Sequence, residues 1–484
     1  MYDHILKTRT LYHFYQICQI PHGSHNEEAL STYLLHWAEQ MGLEAHQDEY
    51  WNLIIKKPAT PDRIRATPII MQAHLDMVCD QEPEANFDFE KSSIPWNVDG
   101  DWISSAAGTT LGADCGIGVA LILAILEATD FSHPPIEAVL TTREETDMGG
   151  AYHLDFNKLT GRRMINLDIS PDEKLLAGSC GGAAIEFSLP ISRISAQAGG
   201  AAFRISIGGL EGGHSGNDIT KGRNNALLML GRLLNDLTGT LPDLALMSVQ
   251  GGNSRLAIPR EASMYVWIPT GRQDQILQGV QKFQENAKRE LDTFPNIFFT
   301  CDPVQEKAET VLDKTSIANL CQLLTIIPNG IQNMSNLMEG TVESSCNLGI
   351  IRTEDHEVHL VTEIRGTYRS TRQHMINQFE TLAKIFHGSV QVHSTYHSWL
   401  YQPDSALRNL IQKVYYKREQ CEMDVKVAHA GNEIGIFYEA IEGLDAVAMG
   451  PTRLFYHSPK EKLSISSSIR FEQFLKQILE ELTD

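Results

Sequence analysis

Apolar positions in the first part of the chain recur in two alternating spacings. LYHFYQICQI and EEALSTYLLHWAEQMG, between about residues 10 and 45, carry the three-and-four spacing of helices with one buried face. WNLIIKKP, TPIIMQAHLDMV, IEAVLTTREE and RMINLDIS are compact apolar runs of strand length. GADCGIGVALILAILEAT is a glycine-rich turn running into a helix apolar nearly all round, the mark of a buried helix. Strands alternating with helices predict a parallel sheet covered on both faces. Three of the strand runs end in HLD, EE or D, and open α/β sheets bind ligands at the carboxyl ends of their strands.

Beyond GSCGGAAIEFSLP the pattern changes. Strand runs such as AFRISIGGL, SMYVWIP, NIFFTCDP and EVHLVTEIR alternate with amphipathic helices such as NNALLMLGRLLNDL and MINQFETLAKIF. Two strand–helix–strand passes of an α+β domain are expected there. The first style then returns with LRNLIQKVYYK, DAVAMGP and RFEQFLKQILEEL. The expected fold is α/β: a catalytic domain (1–185 and 396–484) with a mostly parallel central sheet flanked by helices. An α+β lid domain (186–395) is inserted in it. A chain of 484 residues exceeds one ordinary core, so two domains fit its length.

Five residues at apparent element ends are able to hold metal: His74, Asp114, Glu145, Asp168 and His457. Imidazole and carboxylate together suit zinc, with manganese or cobalt as substitutes, and pairs of such ions run hydrolysis. Two residues after His74 on the same side of the strand, Asp76 is expected to reach the imidazole's other nitrogen and set its tautomer. Glu144 and Glu145 are adjacent, and neighbouring carboxylates repel unless a cation or proton separates them. One binding metal while the other handles a proton would resolve this. Taken singly, each element has a plain alternative: a polar strand end, an acidic turn, packing glycines or a surface histidine. The glycine-rich loop lacks the P-loop lysine and the third glycine of a dinucleotide fingerprint.

Composition narrows the class further. Formal net charge is −21, which argues against a nucleic-acid partner. No apolar run is long enough for a membrane span, and MYDHILKTRT lacks a signal-peptide core, so a cytoplasmic protein is expected. The eight cysteines are scattered without a C-x-x-C pair and read as reduced thiols.

With all five ligands in order, the chain resembles the M20 family of metallopeptidases, and within it the aminoacyl-histidine dipeptidase, carnosinase-like branch. IPHGSHNEE, QAHLDMV, GTTLGAD-x-GIG, EE-x-x-M-x-GA, GGHSG, AIPREA, HAG-x-E and HSP carry the resemblance nearly end to end. It implies hydrolysis of small peptides, Xaa-His dipeptides among them, at two divalent ions with zinc the first choice. Asp114 would bridge the ions, with His74 and Asp168 completing one site and Glu145 and His457 the other. Glu144 would act as general base on the water held by the metal pair. His214, acting on its own chain's site, would stabilise the tetrahedral intermediate, and Arg365 and Gly431 would hold the substrate's terminal carboxylate. A broader aminoacylase or aminopeptidase of the same family, and a metal-binding homologue without catalysis, stay open, as does a homodimer. Two positions depart from the family. Cys115 replaces the usual Asn or Asp after the bridging acid, where the peptide bond is often cis. Leu256 replaces a substrate-contacting Asn, for which Asn253 is the nearby substitute.

Overall fold

The structure is a computed structural model that describes residues 2, 4–291, 296–305 and 309–482. The chain divides into two compact units: residues 1–179, 399–428 and 432–484 form the first, and 180–398 with 429–431 the second. The second begins a few residues before 186 because the strand Gly181–Pro190 pairs with Glu357–Gly366 from Gly181 onward.

The first unit is built on an eight-stranded mixed sheet. Its centre is parallel: Ile69–His74 lies between Ile136–Thr141 and Arg163–Asn166, and Asp445–Ala448 extends it beside Arg163–Asn166. The edge strands Glu44–Gln47 and Leu53–Lys57 join antiparallel. Every residue of Ile69–His74 and Ile136–Thr141 is buried, as strands covered on both faces must be. The helix Ala113–Glu127 is buried from Ala113 to Leu126 and shares its core with Leu11, Phe14 and Ile17 of the helix Arg9–Cys18.

Register determines what lies along the sheet's functional edge. His74 pairs with Thr141, and Gln72 pairs with Asn166. The segments following Thr141 and Asn166 therefore leave the sheet beside His74, and they carry Glu144, Glu145 and Asp168.

The second unit holds a nine-stranded sheet paired antiparallel throughout its described residues, from Phe298–Val304 at one edge to Ser389–Tyr396 at the other. The helices Ala226–Thr240, Lys314–Ile326 and Arg369–Phe386 share its core through Leu230, Leu320 and Phe379. Among the described residues, no helix is long and apolar enough to cross a membrane. All eight cysteines are free.

Candidate metal centre and active site

His74 ends its strand with 1% of its surface exposed. Its Nδ1 lies 2.9 Å from the Asp76 carbonyl oxygen, which can only accept, so Nδ1 carries the proton. Nε2 is buried and makes no hydrogen bond among the described residues, but it faces the Asp114 and Asp168 carboxylates. Burial alone would lower the ring's pKa, and these carboxylates hold it well above its usual value. The tautomer is thus set by the main chain of Asp76. The Asp76 carboxylate, expected on the imidazole, lies 3.4 Å from the same Nδ1 and has further work besides. It accepts from the Glu144 amide at 2.9 Å, the Glu145 amide at 3.2 Å and the Ser24 hydroxyl at 2.8 Å. Burial alone would raise its pKa, but His74, Ser24 and the Glu144 amide hold it below the usual carboxylate range. Asp76 is therefore a positioning residue for the acid pair.

Asp114 lies two residues after Gly112, whose left-handed φ of +75° turns the loop into the helix; a side chain there would strike the Met77 sulfur. Asp114 offers one carboxylate oxygen to each of two imidazoles. Oδ1 is 3.5 Å from His74 Nε2 and Oδ2 is 3.2 Å from His457 Nε2. Asp168 Oδ1 lies 3.8 Å from His74 Nε2, and Glu145 Oε1 lies 2.9 Å from His457 Nε2. All five predicted ligands meet, in two clusters that share Asp114. Ligand atoms on a tetrahedral zinc ion sit about 3.3 Å apart, given metal–ligand distances of about 2.0–2.1 Å. The spacing and the buried His74 Nε2, which lacks a hydrogen-bond partner among the described residues, both fit a pair of divalent ions. Burial lowers the His457 pKa, but Asp114 and Glu145 outweigh it and raise it to about 10. A cation binding there must displace that proton.

Glu144 shares a third cluster with His74 and Glu145, their ligand atoms within 4.8 Å of one another. Burial, then the charges of Asp168, Glu145 and Glu433, push its carboxyl well above the usual range, partly opposed by His74. A carboxylate destabilised in this way takes up a proton readily, as a general base must.

The Asp114–Cys115 peptide is cis. The Cys115 thiol donates to the Leu167 carbonyl at 3.3 Å, and burial pushes its pKa well up. It is a neutral, committed thiol and makes a poor ligand.

Three side chains of this centre escaped the expectations drawn from sequence. Glu461, 1% exposed, accepts the Leu111, Gly112 and Asp114 amides at 2.7, 3.0 and 3.1 Å and so holds the loop that aims Asp114. Glu433, also 1% exposed, accepts from Thr141 at 2.9 Å and from Gln72, and burial raises its pKa to about 8. Arg453 Nη1 reaches Asp114 Oδ1 at 2.7 Å and Nη2 reaches Asp168 Oδ1 at 3.2 Å. The only signal available for Glu433 and Glu461 was their place in the HAG-x-E and HSPKE segments.

The second unit gathers the remaining predicted residues. His214 Nδ1 accepts the Gly216 and Asn217 amides at 3.1 and 3.0 Å, so the ring proton sits on Nε2. Burial and then Arg365 lower its pKa, which keeps it a neutral donor. Arg365, 3% exposed, donates to Tyr396 at 2.7 Å and Ser215 at 3.3 Å, while its buried Nε makes no hydrogen bond among the described residues. Gly431 lies half-buried in a turn whose His429 is 2.7 Å from the Ser345 hydroxyl. Leu256 is exposed, and its carbonyl accepts the Ser215 amide at 2.8 Å. Asn253 lines a separate depression with Arg204, Glu261 and Arg352.

A model of peptidase family M20/M25/M40 matches residues 70–481. The chain belongs to that family. This M20 peptidase is 34% identical over 470 residues to the cytosol non-specific dipeptidase of Escherichia coli, covering 97% of this chain and 96% of that one. It superimposes on the crystal structure of aminoacylhistidine dipeptidase from Vibrio alginolyticus with a TM-score of 0.91 and 34% identity, covering 99% and 98% of the two chains. The fold extends to aminopeptidase PepT from Bacillus cereus, with a TM-score of 0.60 at 15% identity, over 98% of each chain.

Proposed function

We propose that this M20 peptidase hydrolyses dipeptides, Xaa-His among them, in the cytoplasm, with a zinc pair as its cofactor and the inserted unit as its lid. The observation that carries this is Asp114, which turns one carboxylate oxygen to His74 and the other to His457. Two similar proteins at the same identity are named as dipeptidases, one non-specific and one for aminoacylhistidines.

His74, Asp114 and Asp168 would hold one ion, and Asp114, Glu145 and His457 the other. Such a pair, when bound, acidifies water and polarises a carbonyl oxygen. Glu144 takes the proton from the attacking water and returns it to the leaving nitrogen. Asp76 keeps Glu144 and Glu145 in place through their amides. His214 donates its Nε2–H to the developing oxyanion. Arg365 and Gly431 bind the terminal carboxylate, Arg365 through its charge, which limits the length of substrate.

Two experiments test this. The stripped enzyme, refilled with zinc, manganese or cobalt, is assayed on β-Ala-His, Gly-His and Leu-Leu. Cleavage of the Xaa-His members only with metal is expected; metal bound without cleavage of any member would sink the dipeptidase reading. Cleavage of Leu-Leu alone would point to the broader family activity. For His214→Ala, kcat is expected to fall about 10²–10³-fold with KM little changed. A variant with wild-type kcat would remove His214 from the reaction.

A further inference from the structure

Arg453 stands inside the metal centre, where a pair of divalent ions needs no further positive charge. Its side chain is 2% exposed. The two carboxylate oxygens it contacts, Asp114 Oδ1 and Asp168 Oδ1, are the same two that lie nearest His74 Nε2. Both aspartates of the His74 cluster are thus shared with a guanidinium. The His457 cluster draws instead on Asp114 Oδ2 and Glu145 Oε1, which face His457.

The guanidinium is also held in place. The Arg453 amide donates to the Ser170 hydroxyl at 2.8 Å, and that hydroxyl donates back to the Arg453 carbonyl at 2.9 Å. Nη1 makes a further bond to the Ala113 carbonyl at 3.3 Å, and the Tyr456 ring lies 5.9 Å from the guanidinium carbon. An arginine keeps its charge at any working pH. Asp114 and Asp168 bring two negative charges to the His74 cluster and Arg453 cancels one. An ion there meets a fixed like charge in a buried setting, where screening is weak.

We propose that Arg453 makes the two metal sites unequal, with the His457 cluster binding its ion tightly and the His74 cluster binding its ion weakly. Arg453 then serves as the resident counter-charge of Asp114 and Asp168 whenever a single ion is held. This rests on the two-ion reading of the centre.

The test is a titration of the stripped enzyme in chelator-buffered zinc, with bound zinc counted by elemental mass spectrometry. The wild type is expected to hold one zinc per chain over a plateau and take up the second only at about 10²-fold higher free zinc. Arg453→Met is expected to close that gap to about tenfold or less, and Arg453→Lys, which keeps the charge, to retain it. If Arg453→Met does not fold, Arg453→Gln makes the same comparison. Simultaneous uptake of both ions by the wild type would overturn the inequality and leave the two-ion reading standing. A plateau unchanged in Arg453→Met or Arg453→Gln would overturn the role of Arg453. No zinc uptake at any concentration would overturn both.

Discussion

Asp114→Asn is expected to leave both ions weakly bound and to cut turnover by at least about 10⁴-fold. Asp114 is the one residue common to both clusters, with Oδ1 toward His74 and Oδ2 toward His457. An asparagine offers a single acceptor oxygen and no charge, so one of the two sites loses its ligand and both lose electrostatic attraction. Without the metals, water returns from a pKa of about 7 toward 15.7, roughly eight decades in hydroxide-like population. The effect on the fold is separate. Arg453 would keep only Asp168 as an anionic partner, and breaking a buried ion pair costs about 3–5 kcal/mol. Zinc content after dialysis, turnover and a thermal melt together decide the matter. An Asp114→Asn protein that retains two metal ions would show that Asp114 does not bridge.

The second large effect concerns Glu144. Glu144→Gln is expected to retain its metal and lose about 10²–10⁴-fold in kcat. The amides of Glu144 and Glu145 are both held by Asp76, and a glutamine keeps that backbone arrangement while it cannot accept a proton. The pH profile supplies a second check. Burial and neighbouring carboxylates raise the Glu144 pKa, so its protonated, inactive form persists to higher pH than for an exposed glutamate. Wild-type kcat/KM should therefore fall on the acid side as Glu144 takes up a proton, and the residual activity of Glu144→Gln should lack that limb. Full activity in the variant would transfer the base role elsewhere.

Much of this centre is legible in the order of residues along the chain. The apolar runs ending in HLD, EE and D place His74, Glu145 and Asp168 at strand ends, because a parallel strand buried on both faces has only its ends free for polar chemistry. The glycines around Asp114 signal tight backbone turns, and Gly112 takes the left-handed conformation that only glycine adopts cheaply. The change of pattern beyond GSCGGAAIEFSLP, where strand runs alternate with amphipathic helices, marks the second unit. Those features are local: each is written within a few residues of the group it positions.

What the sequence could not supply were contacts between residues far apart in the chain. Glu461 holds the loop at Asp114 from 347 positions away, and Arg453 reaches Asp114 and Asp168 across 339 and 285 positions. A buried arginine and a solvated one look alike in a sequence, since burial depends on what packs over them. Asp76 shows the same limit. Strand alternation put Asp76 on the side of His74, where its carboxylate lies 3.4 Å from Nδ1, but its bonds to the amides of Glu144 and Glu145, delivered by a neighbouring strand through its register, could not be read from spacing. By itself the sequence determined the fold class and which side chains are candidates for metal ligands and general base, because periodicity and motif spacing act over short range. Only the tertiary structure decided the mixed edges of the sheet, the His74 tautomer, and the guanidinium beside two of the carboxylates, because these depend on which distant segments the packed core brings into hydrogen-bond reach.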